Sequence, residues 1–131
     1  MIVTTACFVD DISKALMEAH RVLSHGGFLI IAFVDRSSMV GQTYLSRQSE
    51  NVFYKDATFF SVGELVDIMD QTGFVDLTFN QTIFKTLSNT TRDEPVKTGY
   101  GEASFVVIRG RKEGAKFDRK NKDEQCKYEE I

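Results

Sequence analysis

A chain of 131 residues with 42% hydrophobic and 27% charged content can bury a core of its own and fits one soluble globular domain. No apolar run reaches the roughly 18 to 20 residues that a membrane span needs. Met1-Ile2-Val3-Thr4-Thr5 lacks the basic start and apolar middle of a signal peptide, so no membrane partner and a cytoplasmic location are expected. The net charge of -3 comes without a concentrated basic face, which argues against nucleic acid as a partner.

Ile2 to Phe8 is short, apolar and β-branched, the pattern of a strand. From Asp10 to Asp35 the chain reads as a helix feeding a second strand. Ile12, Ala15, Leu16, Ala19, Val22 and Leu23 fall on one helical face, while Lys14, Glu18 and Arg21 stay wet. Asp10 or Asp11 can cap the first turn, and Gly26-Gly27 offers the positive φ that ends a helix. Glu18 and Arg21, one turn apart, are expected to pair on the surface. Phe28 to Val34 shows no polar alternation, as in a parallel strand covered on both faces. Strand, helix and strand together form a right-handed unit with its two strands parallel.

Arg36 to Phe60 is a long polar and aromatic connection, with a short helix expected around Gly41 to Gln48. Ser61 and Glu64 form a capping box for a second helix carrying Leu65, Ile68 and Met69, which ends at Thr72-Gly73-Phe74. Val75 to Gln81 alternates with period two as a strand with one covered face. Thr86 to Gly101 is turn-rich and holds the single proline, Pro95, and Phe105 to Ile108 is a last buried strand, paired antiparallel for want of an intervening helix. From Arg111 the chain is mostly charged, so residues 111–131 are expected as a flexible tail beyond a domain of residues 1–110. Cys7 and Cys126 lie at opposite ends with no ligand-like spacing, so neither a disulfide nor a metal site is read.

The phrase Glu18-Ala19-His20-Arg21-Val22-Leu23, then His25-Gly26-Gly27 and a buried strand, resembles the class I S-adenosylmethionine-dependent methyltransferases, whose corresponding phrase is close to E-x-x-R-V-L-K-P-G-G. Phe60-Ser61 through Glu64-Leu65, ending at Thr72-Gly73-Phe74, resembles that family's next helix. The resemblance implies an α/β fold. Its sheet is a partial Rossmann-like one, with strands equivalent to four, five, seven and six, the last antiparallel, and two main helices. Residues 1–110 would then be the carboxyl-terminal half of a methyltransferase-like domain. The family's glycine-rich turn and the acidic residue after its second strand have no counterpart here. Gly26-Gly27 follows a helix and precedes a strand, the reverse of that turn.

By the same resemblance Thr4, Thr5 and Phe8, at the end of the first strand, would face S-adenosylmethionine. Asp35 and Arg36 after the next strand would face the substrate, with Tyr44, Phe53 and Tyr54 roofing an acceptor pocket. Each has a plain structural reading beside it: a strand end, a turn with a surface charge, and aromatics that pin a loop. Cys7 has no adjoining base to make it a nucleophile, and His20 and His25 sit on and at the end of a helix, where neither is placed for catalysis.

The function so implied is methyl transfer to a small-molecule acceptor, within an enzyme whose cofactor-binding half lies outside this chain and without which the chain is inactive. The alternative is a non-catalytic half-domain serving as an oligomeric or partner-binding module. An unpaired first strand and several hundred Å² of uncovered apolar sheet would forfeit on the order of 10 kcal/mol. A homodimer or a second polypeptide is therefore expected over that edge and face.

Overall fold

The computed structural model describes residues 1–85 and 92–114. In chain order the elements are β1 (Ile2–Val3), a 3-10 turn (Ala6–Phe8), α1 (Ile12–Val22), β2 (Phe28–Val34), α2 (Met39–Ser46), a 3-10 turn (Gln48–Glu50), α3 (Val62–Gln71), β3 (Phe74–Thr82), β4 (Lys97–Thr98) and β5 (Phe105–Lys112). The strands form one sheet in the order β1-β2-β5-β3-β4. β1 is parallel to β2, and β5 runs antiparallel to both β2 and β3. The α/β architecture and the inserted antiparallel last strand are as expected; the two-residue β4 ribbon beside β3 is an addition.

The first strand is shorter than the sequence suggests. Only Ile2 and Val3 pair with β2, opposite Ile31 and Ala32. The Thr4 amide donates to the Ala32 carbonyl, and the chain then turns away at a Thr4 φ of 53°. Nothing in the described sheet lies outside β1 to prolong it. The hydroxyls of Thr4 and Thr5 both donate to the Val3 carbonyl, a local bond that competes with a ladder.

α1 begins as expected, with the Asp11 carboxylate accepting from the Lys14 amide. Ile12 and Leu16 are buried, and Glu18 pairs with Arg21 on the wet side. The helix ends before the glycines, at an extended Leu23, which leaves Val22 exposed rather than in the core. Gly26, at φ 79°, closes the turn into β2, its amide donating to the Lys112 carbonyl.

The core lies on one side of the sheet. Leu29, Ile31 and Phe33 of β2 alternate onto the face that also carries Val106 and Ile108. There they meet Leu16 of α1 and Leu65 and Met69 of α3. The intervening residues of β2 face the other way: Phe28 is half exposed, with the Arg109 guanidinium 4.8 Å from its ring centre, Ile30 and Val34 are half-buried, and Ala32 is buried. The strand expected to be covered on both faces is thus covered on one by helices, because α1 and α3 pack on the same side.

α3 carries the full capping box: the Ser61 hydroxyl accepts from the Glu64 amide and the Glu64 carboxylate from the Ser61 amide. β3 is broken by a bulge between Val75 and Thr78, where Asp76 takes a φ of 54° and receives the Arg111 guanidinium. β5 continues to Lys112, beyond both the expected strand end at Ile108 and the expected domain boundary at 110, because Arg111 and Lys112 pair with β2 and β3. Residues 115–131 of the expected tail, with Cys126, and residues 86–91 of the expected turn-rich connection lie outside the described residues.

Gly41, on the first turn of α2, is where the loop after β2 closes on itself. A Cβ there would stand 2.0 Å from the Asp35 carbonyl oxygen and 2.9 Å from the Arg36 Cα, all backbone. Gly63 in α3 has nothing within 4 Å of the same position. The same substitution should therefore have opposite signs. Gly41→Ala should lower the unfolding free energy by about 3 kcal/mol, and Gly63→Ala should raise it by about 0.5–1 kcal/mol. Urea midpoints of the two variants check this, and an unchanged Gly41→Ala midpoint would contradict the close approach.

Candidate functional site

A cavity of about 380 Å³ opens where β1 and β2 end. Its floor is Phe33 and Val34 at the carboxyl end of β2, with Thr4, Ala6, Cys7 and Phe8 from the turn after β1 on one side. Tyr44 of α2 and the aromatics of the following loop, Phe53, Tyr54, Phe59 and Phe60, form the rest of the wall. Open α/β sheets keep their ligand crevices at this end of parallel strands, because loops leaving adjacent strands diverge there.

The aromatic wall is a run of stacked rings in which Tyr54 and Phe59 are tilted 41° apart. Phe8 stacks on Tyr54 with centroids 6.1 Å apart and 20° between planes. Tyr54 stacks on Tyr44 at 5.1 Å and 19°, and Tyr44 on Phe59 at 6.0 Å and 23°. Phe59 is buried, Tyr44 and Tyr54 are half-buried, and Phe53 at the loop tip is 82% exposed. The Gln48 side-chain amide donates to the carbonyls of Tyr54 and Ala57, knotting the loop. The Thr58 amide donates to the Cys7 carbonyl at 2.7 Å, tying that loop to the turn after β1.

The residues expected at the site are divided by the fold. Thr4, Phe8, Tyr44, Phe53 and Tyr54 converge on the cavity, whereas Thr5 is outside its lining and exposed, its hydroxyl spent on the Val3 carbonyl. Asp35 and Arg36 are also outside the lining and serve as framework. Asp35 is buried, its carboxylate accepts from the Ser37 amide, and its own amide donates to Ser104. Arg36 pairs with Glu64 of the capping box and donates to the Phe59 carbonyl, so it joins the loop wall to the start of α3. Tyr100 packs on Phe79, away from the cavity, and His20 stands edge-on to Phe74. Phe33, Val34, Ala6, Phe59 and Phe60 join the wall without having been singled out as site residues. The density of aromatics in the loop was the available signal for the last two, and nothing in the sequence marks Gln48.

Burial pushes the Cys7 thiol up from its ordinary value, so it remains protonated at neutral pH. Burial, with the neighbouring Tyr54 phenol second, pushes Tyr44 up as well, keeping its hydroxyl a donor. Among the described residues, no aspartate, glutamate, histidine, lysine or arginine lines the cavity. Among the described residues there is no cluster able to hold a metal ion, and no helix is long and apolar enough to cross a membrane.

No protein-family model matches the chain. An uncharacterized protein of Methanocaldococcus jannaschii is 39% identical over 112 residues, which are 86% of this chain and 54% of that protein. An uncharacterized protein of Mycobacterium tuberculosis is 34% identical over 71 residues, 53% of this chain and 25% of the relative. Among solved structures, one from Thermotoga maritima is 52% identical with a TM-score of 0.82, over 85% of this chain and 54% of that one. It is described as an S-adenosylmethionine-dependent methyltransferase, possibly a histamine N-methyltransferase. The chain thus spans about half the length of the archaeal relative and of the Thermotoga structure. Over that span its mixed sheet and flanking helices have the Rossmann-like fold of the class I methyltransferases.

Proposed function

We propose that this chain supplies the acceptor-binding, carboxyl-terminal half of an S-adenosylmethionine-dependent methyltransferase acting on a small molecule. The observation that carries the reading is the coincidence of two things: close similarity to a methyltransferase over half its length, and an aromatic cavity at the carboxyl ends of β1 and β2. S-adenosylmethionine, when bound, supplies an electrophilic methyl group. The described residues do not make a donor site by themselves, since none of those lining the cavity is a carboxylate to take ribose hydroxyls. Thr4 and Phe8 would border the donor, and the rest of its site would come from polypeptide beyond these 131 residues. What the chain contributes is position: an apolar wall that holds an acceptor and excludes water. That division of labour asks for no acid or base of its own.

A second reading, a non-catalytic module that binds a copy of itself or another chain, is favoured by the edge and the open face of the sheet. Among the described residues β1 offers only two paired residues and an unpaired outer side, and Phe28, Ile30 and Val34 lie partly bare beside it. A homodimer or a second polypeptide would cover them.

Both readings meet in one chimera, made by joining this chain to the part of the Thermotoga methyltransferase that it does not match. Calorimetric titration with S-adenosylhomocysteine should give micromolar binding to the chimera and none to the chain alone. A folded chimera that fails to bind would remove the methyltransferase reading. In the same samples, sedimentation should show the chain alone self-associating at micromolar concentration and the chimera monomeric. A monomeric, well-folded chain would remove the oligomer expectation.

A further inference from the structure

The cavity wall has two properties that together specify a guest. Its rings stack on one another: Phe8 on Tyr54, Tyr54 on Tyr44 and Tyr44 on Phe59, with 19° to 23° between successive planes, while Tyr54 and Phe59 are tilted by 41°. And, among the described residues, it lacks charged side chains: the residues with polar side chains in its lining are Thr4, Cys7, Tyr44 and Tyr54. The Cys7 and Tyr44 groups both stay neutral near pH 7.

A wall of stacked rings rewards a flat guest that continues the stack or meets it edge to face, because contact area and quadrupole alignment are then both satisfied. A saturated, puckered ring of the same skeleton would meet only part of each face. The negative faces of phenyl and phenol rings attract cations and repel anions, and a carboxylate entering this wall would lose its hydration with no lysine, arginine or histidine among the described lining residues to replace it. The volume of about 380 Å³ suits one or two fused rings with small substituents.

We infer that the cavity binds a planar aromatic molecule of one or two rings, neutral or cationic, and rejects its anionic counterparts. As an assignment of the methyl acceptor this rests on the methyltransferase reading. As a statement about the cavity it does not, and the test uses the cavity alone.

The probes are quinoline, N-methylquinolinium, quinoline-6-carboxylate and decahydroquinoline, titrated into the 131-residue chain with tyrosine fluorescence as the signal. Quinoline and N-methylquinolinium should bind with similar affinity, and the carboxylate and the saturated ring at least tenfold more weakly. Because Cys7 lines the cavity, saturating N-methylquinolinium should also slow its alkylation by iodoacetamide at least fivefold, read on the Cys7 peptide by mass spectrometry. Tyr54→Leu, which keeps an apolar side chain in the loop, should weaken quinolinium binding tenfold. Should Tyr54→Leu not fold, Phe8→Leu at the half-exposed end of the stack serves in its place.

Equal binding of the carboxylate, or unprotected Cys7 at saturation, would overturn the inference. Binding of the flat probes alongside a chimera that ignores S-adenosylhomocysteine would leave the cavity assignment standing and the methyl-transfer reading refuted. The reverse pair of results would do the opposite.

Discussion

The structure depends on β5. It is the strand that pairs along nearly its whole length on both sides, from Phe28 opposite Arg111 to Val34 opposite Phe105 in β2, and from Phe74 opposite Lys112 to Thr82 opposite Phe105 in β3, with a gap at Gly110 where β3 bulges. Because it runs antiparallel to β2, its amino end meets the carboxyl end of β2. The buried Ser104, just before β5, therefore stands where the loop after β2 departs. Its carbonyl accepts from the Asp35 amide and its hydroxyl from the Val40 amide. The last strand in sequence thus fixes the base of the loop that carries the aromatic wall. A parallel strand in that place would put its opposite end there.

One-sided covering is the second constraint. The crossover from β1 through α1 to β2 sets the first helix on one face, and α3, returning the chain to β3, lies on the same face. The helix face is apolar without interruption through Leu29, Ile31, Phe33, Val106 and Ile108. The other is mixed: Thr78 and Asn80 of β3 and Arg109 of β5 share it with Phe28, Ile30 and Val107. Such a surface is neither a core nor a plain solvated face. Arg109 over Phe28 shields part of it, so the apolar area left bare is smaller than an uncovered parallel sheet would show.

What could be read from the sequence was local chemistry. Asp11 as a cap, the Ser61–Glu64 capping box and the parallel β1–β2 pairing all depend on residues close in the chain or on a fixed handedness. Misreadings came where tertiary context decides. Phe28 to Val34 is apolar throughout, and such a run fits burial on either one or two faces; only the placement of α3 chooses. Ile2 to Phe8 has strand composition, yet a strand needs partners, and beyond Val3 the chain turns away at Thr4 and leaves the sheet. The fate of Asp35 and Arg36 was equally hidden, since their partners Ser104 and Glu64 lie far along the chain.

That consumption of Asp35 and Arg36 bears on the chemistry. A carboxylate and a guanidinium at the end of a central strand look like substrate-facing groups, but here both are spent on shaping the loop: one turns the chain into α2, the other clamps Phe59 to the capping box of α3. Their charges are thereby kept out of the cavity, whose wall is left to rings, hydroxyls and a protonated thiol. Gln48, an uncharged donor, closes the same loop through main-chain carbonyls and brings no charge to the wall either. A site built this way discriminates by shape and by the sign of a guest's charge. Its selectivity should depend on the order of the loop between Gln48 and Phe60 more than on the titration of any one residue.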